Sequence, residues 1–329
     1  MPAIRAKSVL RNLVAGKYAL GEELGAGGMG VVYRAQQLQP PRAVAIKFLH
    51  RALARDARTV ARFRVEADAA ARLDHPHTVH VLDHGEDVDG TPFIVMEYVS
   101  GRTLRQIVDE GALAIDRAIA ITQQILGALA CAHAHGIVHS DVKTENVLVT
   151  ESEDGEHIKL VDFGLARVIL PFDDDVDESR TEAHIAGTPE YMAPEVILGG
   201  TPGPASDIYA AGVILHEMLT GTTPFGGGKP MDIFARHVLD PVVPPSLRFP
   251  QLELPRQLEE VIEHAMAKEP AERFASASEF SEVLTHVEAT HTRAPLPEAS
   301  RAVGTRCPTL RARRLTSPSP QPPRSAPTR

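Results

Sequence analysis

The apolar positions change their period near residue 100. Before it, short runs rich in β-branched and aromatic residues, or alternating apolar with polar, predict five strands: 18–24, 31–33, 43–49, 78–83 and 92–98. One segment interrupts them: 57–73 is Ala-rich and free of Gly and Pro, which predicts a helix. Beyond residue 100, Ile115, Ala118, Ile119, Thr122, Ile125, Leu126 and Leu129 recur at helical spacing, and so do Ile208, Ala211, Gly212, Leu215, Met218 and Leu219. Stretches near 231–239, 257–267 and 277–287 continue that pattern, with 241–245 as a connecting loop. A short hairpin, 147–149 with 158–161, falls between the first two helices. The pattern predicts an α+β, bilobal fold: a small five-stranded antiparallel β lobe with one main helix, then a larger, mainly α lobe. The polar stretch Glu97-Tyr98-Val99-Ser100-Gly101 reads as the hinge between them.

Composition fixes the limits of this division. With 329 residues, 43% of them hydrophobic, the chain can bury a substantial core. The expected organisation is a leader over 1–16, a small lobe over 17–99, a large lobe over 100–289 and a tail over 290–329. The tail is rich in Pro, Ser, Thr and Arg with few large apolar residues, a composition that stays disordered. Its Ser317-Pro318 and Ser319-Pro320 read either as phosphoacceptors or as part of an inert tail. No apolar run approaches the roughly 18 residues that span a bilayer, and 1–16 lacks the apolar stretch of a signal peptide, so no membrane partner and a cytoplasmic location are expected. Cys131 and Cys307, far apart, form neither a disulfide framework nor a metal pair.

Charge narrows the partners. Eight arginines against the single acid Glu298 make 290–329 net +7, so the overall −9 leaves −16 on the rest. That balance argues against nucleic acid as the partner of the globular part, while a metal-bound nucleotide remains compatible. His75, His77, His80, His84, His133 and His135 invite a metal reading, which lacks cysteine support.

Candidate chemistry sits at three places. Gly25-Ala26-Gly27-Gly28-Met29-Gly30 tips a predicted hairpin, where glycines let backbone N–H groups approach phosphates. A flexible turn has the same composition, but a dinucleotide fold would need a helix after the last glycine, and Val31-Val32-Tyr33 is a strand sequence. Lys47 lies within an apolar strand and needs a charged partner, for which Glu66 on the predicted helix is the candidate. Finally, His139-Ser140-Asp141-Val142-Lys143-Thr144-Glu145-Asn146 precedes Asp162-Phe163-Gly164. An Asp, a Lys two residues on and an Asn five on can share one loop, holding an attacking hydroxyl, a phosphoryl group and a metal ion.

These motifs, in this order, resemble those of protein kinases, and residues 17–289 as a whole are similar to bacterial eukaryotic-like Ser/Thr protein kinases. The resemblance implies the bilobal protein-kinase fold and transfer of the ATP γ-phosphoryl group to Ser/Thr hydroxyls of proteins, the chain itself included. It implies ATP binding by Leu24, Gly25, Ala26, Gly27, Gly28, Met29, Gly30, Val32, Ala45, Met96, Glu97, Val99 and Leu148, with Lys47 on the phosphates and Glu66 holding Lys47. Asp141 becomes the base, Lys143 the γ-phosphate contact, and Asn146 and Asp162 the ligands of Mg²⁺, or Mn²⁺. Gly187-Thr188-Pro189-Glu190-Tyr191-Met192-Ala193-Pro194-Glu195 resembles the Ser/Thr-type end of an activation segment. There Thr188 would bond to Asp141 and Lys143, Glu195 would pair with Arg273, and Asp207 would brace the catalytic loop.

The chain departs from the family at four places. Ser140 replaces an arginine that grips an activation-segment phosphate, so activity is expected not to depend on phosphate at Ser179 or Thr181 through that contact. Thr144 replaces a proline, with little effect expected. Ala70 is smaller than the usual apolar residue linking the helix to Phe163 and His139. Asp173-Asp174-Asp175-Val176-Asp177-Glu178 is either a solvated run or an attractor for basic substrates and the Arg-rich tail. A pseudokinase-like ATP-binding scaffold is the alternative function, although it would need a missing catalytic group; a small-molecule kinase is a third reading.

Overall fold

The structure, a computed structural model, describes residues 13–153, 155–163 and 188–293. The run 173–178, Ser179, Thr181, Gly164, Gly187, Cys307, Ser317 and Ser319 lie outside the described residues. The account below concerns the compact unit that ends at Thr292.

The small lobe is one antiparallel sheet of β1 (Leu13–Val14), β2 (Tyr18–Ala26), β3 (Gly30–Gln37), β4 (Arg42–Leu49), β5 (Val81–Glu86) and β6 (Pro92–Glu97), in the order β1-β2-β3-β4-β6-β5. The five expected strands are present, and a sixth, two residues long, pairs Leu13 with Ala19 at the edge inside the expected leader. Period-two alternation divides the sheet between two cores. Val44 and Ile46 of β4, with Phe93 and Val95 of β6, face Tyr18 and Ala35. Ala45 and Leu49, with Ile94 and Met96, face Phe63 and Ala67 of α1 (Ala57–Ala70). Asp56 starts that helix by accepting from the backbone N–H groups of Arg58 at 3.2 Å and Thr59 at 3.1 Å.

The next strand begins at Val81 rather than at Thr78. Residues 77–79 pair instead with the large lobe, Val79 N–H donating to the Leu160 carbonyl at 3.0 Å and Leu160 N–H to that of His77 at 2.9 Å. The predicted strand is therefore cut short by a seam that ties the lobes together.

The large lobe comprises α2 (Leu104–Val108), α3 (Ile115–Ala134), α4 (Pro194–Ile197), α5 (Pro204–Thr220), α6 (Pro230–Leu239), α7 (Pro245–Arg248), α8 (Arg256–Ala265) and α9 (Ala277–Arg293). A three-stranded sheet of β7 (Arg102–Thr103), β8 (Val147–Ser152) and β9 (Gly155–Leu160) joins it in the order β7-β8-β9. From Ser206 to Leu219, α5 is buried all round, its apolar run Ile208–Leu215 facing neighbours on every side and its buried Ser206, Asp207, His216 and Glu217 hydrogen-bonded. Gly212 permits this: a Cβ there would lie 2.8 Å from the Ala265 Cβ, so only glycine lets α8 approach so closely. Among the described residues no helix is long and apolar enough to cross a membrane.

Candidate active site

The loop from His139 to Asn146 is held from beneath by Asp207, a buried carboxylate near the start of α5. Its Oδ2 accepts from His139 N–H and its Oδ1 from Ser140 N–H, both at 2.9 Å, while His133 Nε2 lies 2.8 Å from Oδ2. His139, fully buried, fixes the next turn. Asp141 N–H donates to its Nδ1 at 3.3 Å, so its Nε2 carries the proton and donates to the Val161 carbonyl at 2.9 Å. Its ring packs on Phe163 with centroids 4.6 Å apart, and Ala70 packs half-buried against the same core.

Asp141 is thereby presented with a defined set of neighbours. Its Oδ2 accepts from Lys143 Nζ at 2.7 Å and from Asn146 Nδ2 at 3.0 Å; Nδ2 also reaches the Asp141 carbonyl at 2.8 Å. Lys143 continues to the Thr188 hydroxyl at 2.9 Å. Asp162 forms the opposite wall, its Oδ2 2.8 Å from Lys47 Nζ. Lys47 is thus a buried ammonium whose ion-pair partner is Asp162; Glu66 lies on α1 and its side chain is outside the described set. Ser140 and Asp162 both adopt left-handed backbone, φ +66° and +63°. Such residues cost about 1–3 kcal/mol each unless their surroundings compensate, and they cluster where geometry serves function.

Most of the apolar residues that the resemblance assigns to ATP pack together. Met29, Val32, Ala45, Met96 and Val99 belong to one cluster, Leu148 stands half-buried on β8 opposite Thr103, and Leu24 is exposed on β2. Gly25, Gly27 and Gly28 have open space where a Cβ would be, whereas Gly30 lies against β4. The Glu97 carboxylate accepts from His80 N–H at 3.0 Å and Lys159 Nζ at 2.7 Å, and the Glu97 N–H donates to the His80 carbonyl at 3.0 Å.

Several participants gave no signal in the sequence. His50 Nε2 lies 2.7 Å from the Gly27 carbonyl and latches the glycine tip. Thr144, whose exchange for proline predicts little effect, is fully buried, and its hydroxyl lies 2.8 Å from that of Tyr191. Tyr191 donates at 2.6 Å to Glu217, which also accepts from Arg105 at 2.7 Å. Burial and the Glu217 charge push the Tyr191 phenol far up, and burial raises the Glu217 carboxyl. Nothing in residue order joins these four groups. A cavity of about 630 Å³ opens beside them, lined by Glu145, Thr188, Glu190, Tyr191 and Glu217 with Arg105 and Arg248. Through Thr188 it adjoins Lys143, and through Lys143 it adjoins Asp141.

Two carboxylates, Asp141 and Asp162, each paired with a lysine, and a polar cavity reached through Thr188 gather around the His139–Asn146 loop. The serine/threonine-protein kinase pkn3 of Myxococcus xanthus is 40% identical over 277 residues, 84% of this chain and 50% of that protein. PknB of Mycobacterium tuberculosis is 40% identical over 291 residues, 87% of this chain and 45% of the relative, so the chain spans about half the length of the curated relatives it matches. The crystal structure of the Mycobacterium tuberculosis PknI kinase domain aligns with a TM-score of 0.65 at 31% identity, covering 83% of this chain and 96% of that one. The family model for the protein kinase domain matches residues 18–287, and with the site built as described the chain belongs to the protein kinase domain family.

Proposed function

We propose that the chain transfers the γ-phosphoryl group of ATP to serine and threonine hydroxyls of proteins. The observation that carries this is the unbroken contact path Asp141–Lys143–Thr188, which joins the base to the edge of the acceptor cavity. Asp141 orients the acceptor hydroxyl and takes its proton as the new P–O bond forms. Lys143 steadies the charge spreading over the γ-phosphoryl oxygens, and Lys47 holds the α- and β-phosphates. The Asp162 carboxylate fits a hard divalent cation, as does the Asn146 amide oxygen, whose Nδ2 is already committed to Asp141. These two residues would hold Mg²⁺ or Mn²⁺, which when bound neutralises phosphate charge. His139 and Asp207 keep Asp141 in place between turnovers.

The same proposal includes the chain as its own acceptor, a cytoplasmic location, lobe limits at residues 99 and 289, and the adenine-side residues named from the sequence. Its test is transfer from labelled ATP to the protein and to a basic test protein, with Mg²⁺ or Mn²⁺, for wild type and Asp141→Asn. Loss of the general base is expected to cost about 10²–10⁴ in rate while ATP binding persists. Equal labelling by the variant would remove Asp141 as the base, and no label from a wild type that binds ATP would move the reading to a scaffold.

A further inference from the structure

His237 lies on α6 with no exposed surface, and its two ring nitrogens face two different elements. Nδ1 is 2.8 Å from the Tyr209 hydroxyl of α5. Nε2 faces the Glu190 carbonyl of the 188–191 turn without completing a hydrogen bond to it. Among the described residues no other buried side-chain nitrogen or oxygen is left unpaired. Burial holds the imidazole neutral, pushing it down to about 4. A carbonyl only accepts, so Nε2 carries the proton and Nδ1 accepts from Tyr209. The ring has little freedom to turn elsewhere. Phe225 meets it edge-on at 4.9 Å between centroids, and Lys268 Nζ donates to the His237 carbonyl at 2.7 Å while lying over the Phe225 ring.

We propose that His237 is a positioning residue for the protein acceptor, its Nε2–H setting the Glu190 carbonyl and with it the wall of the acceptor cavity. The role rests on the kinase reading above. Glu190 lines the cavity, and its turn is closed by Tyr191 N–H donating to the Thr188 carbonyl at 3.2 Å, the same Thr188 whose hydroxyl holds Lys143. A buried donor left unpaired beside a carbonyl is unfavourable until the two close, so seating of an acceptor chain and completion of this bond favour each other. His237 touches neither ATP nor the transferred group; it acts through Glu190.

The experiment is steady-state transfer by the full chain, with histone as acceptor, giving separate KM values for acceptor and ATP. His237→Asn keeps an acceptor where Nδ1 stood and has nothing at Nε2, whereas His237→Gln places an N–H donor near the Nε2 position. The Asn variant should raise the acceptor KM about threefold to tenfold, the worth of one neutral hydrogen bond, with the ATP KM unchanged. The Gln variant should restore it to within about twofold. Equal behaviour of the two variants, an unchanged acceptor KM, or an ATP KM that moves with it would overturn the role. If His237→Asn does not fold, Tyr209→Phe serves, since it removes the partner that holds the ring at Nδ1; an unchanged acceptor KM there also overturns it. A wild type that binds ATP and transfers nothing would end the kinase reading and this role with it, while normal transfer with unmoved KM values ends this role alone.

Discussion

Arg273 has a fully buried side chain, and all five N–H donors of its guanidinium can be matched to oxygens. Nη1 reaches Glu195 Oε1 and the Ala205 carbonyl, both at 2.8 Å; Nη2 reaches Glu195 Oε2 at 2.7 Å and the Lys268 carbonyl at 3.0 Å; Nε reaches the Ala267 carbonyl at 2.7 Å. One residue thereby ties the end of the 188–195 stretch to α5 and to the loop after α8. Arg273→Ala leaves a carboxylate and three carbonyls unpaired, and an unfolding free energy lower by about 3–5 kcal/mol is expected in denaturant titration. Arg273→Lys should recover little of it, because a point charge cannot fork to a carboxylate and serve the carbonyls as well. A loss below about 1 kcal/mol for either variant would contradict this account. The Glu195 pairing was legible through the family's motif, but the three carbonyls were not: they belong to residues whose identity is irrelevant to the bond. The Thr144–Tyr191–Glu217–Arg105 network was hidden for a related reason, since only the fold brings residues 105, 144, 191 and 217 together.

Strands and helices were legible where a periodic pattern ran for a turn or more: α3, α5, α6, α8 and α9 overlap the segments that periodicity marks, and α1 overlaps the segment marked by its alanine-rich composition. The edge strand β1, two residues long, is too short to show a period. The stretch 77–79 carries strand chemistry but spends its hydrogen bonds on Leu160, a choice that only the partner lobe can make. The glycine tip gives a test at this scale, because its glycines serve different ends. A Cβ on Gly30 would lie 2.0 Å from the Phe48 carbonyl, so Gly30→Ala must push β3 away from β4. An overpacking cost of about 1–3 kcal/mol is expected, with a lower melting temperature even without nucleotide. Gly25 has nothing within 4 Å, and Gly25→Ala should leave the melting temperature unchanged while weakening ATP binding, since the lost feature is close approach to phosphate. Equal melting losses from the two substitutions would show that the tip is a structural turn throughout.

For the molecule as a whole, the buried histidines of the large lobe set how stability depends on pH. His216 and His237 are both buried, and desolvation pushes each from 6.5 down to about 4. As pH falls below about 6.5 the unfolded chain takes up these protons and the folded chain does not, so stability declines until about pH 4, where the folded histidines protonate too. Each contributes at most about 3 kcal/mol across that window, at about 1.4 kcal/mol per pH unit. His75 and His77, also lowered by burial, act with the same sign. Glu217 acts against them: its raised carboxyl binds a proton in the folded state first, which adds stability as pH falls toward 4.5. Asp56, Asp83 and Asp89, all lowered below 3.8, lose their contributions only at more acidic pH, so the window between about 6.5 and 4 belongs to the histidines and Glu217. Denaturant unfolding of wild type at intervals from pH 7 to 4.5 should show a falling unfolding free energy. His216→Gln, which keeps a polar group near the Thr222 carbonyl that His216 Nδ1 faces at 3.0 Å, should flatten that fall by roughly the share of one buried histidine. A slope that is the same in wild type and variant would mean that His216 takes up its proton in the folded state near pH 6.5, and that its burial does not govern the acid response.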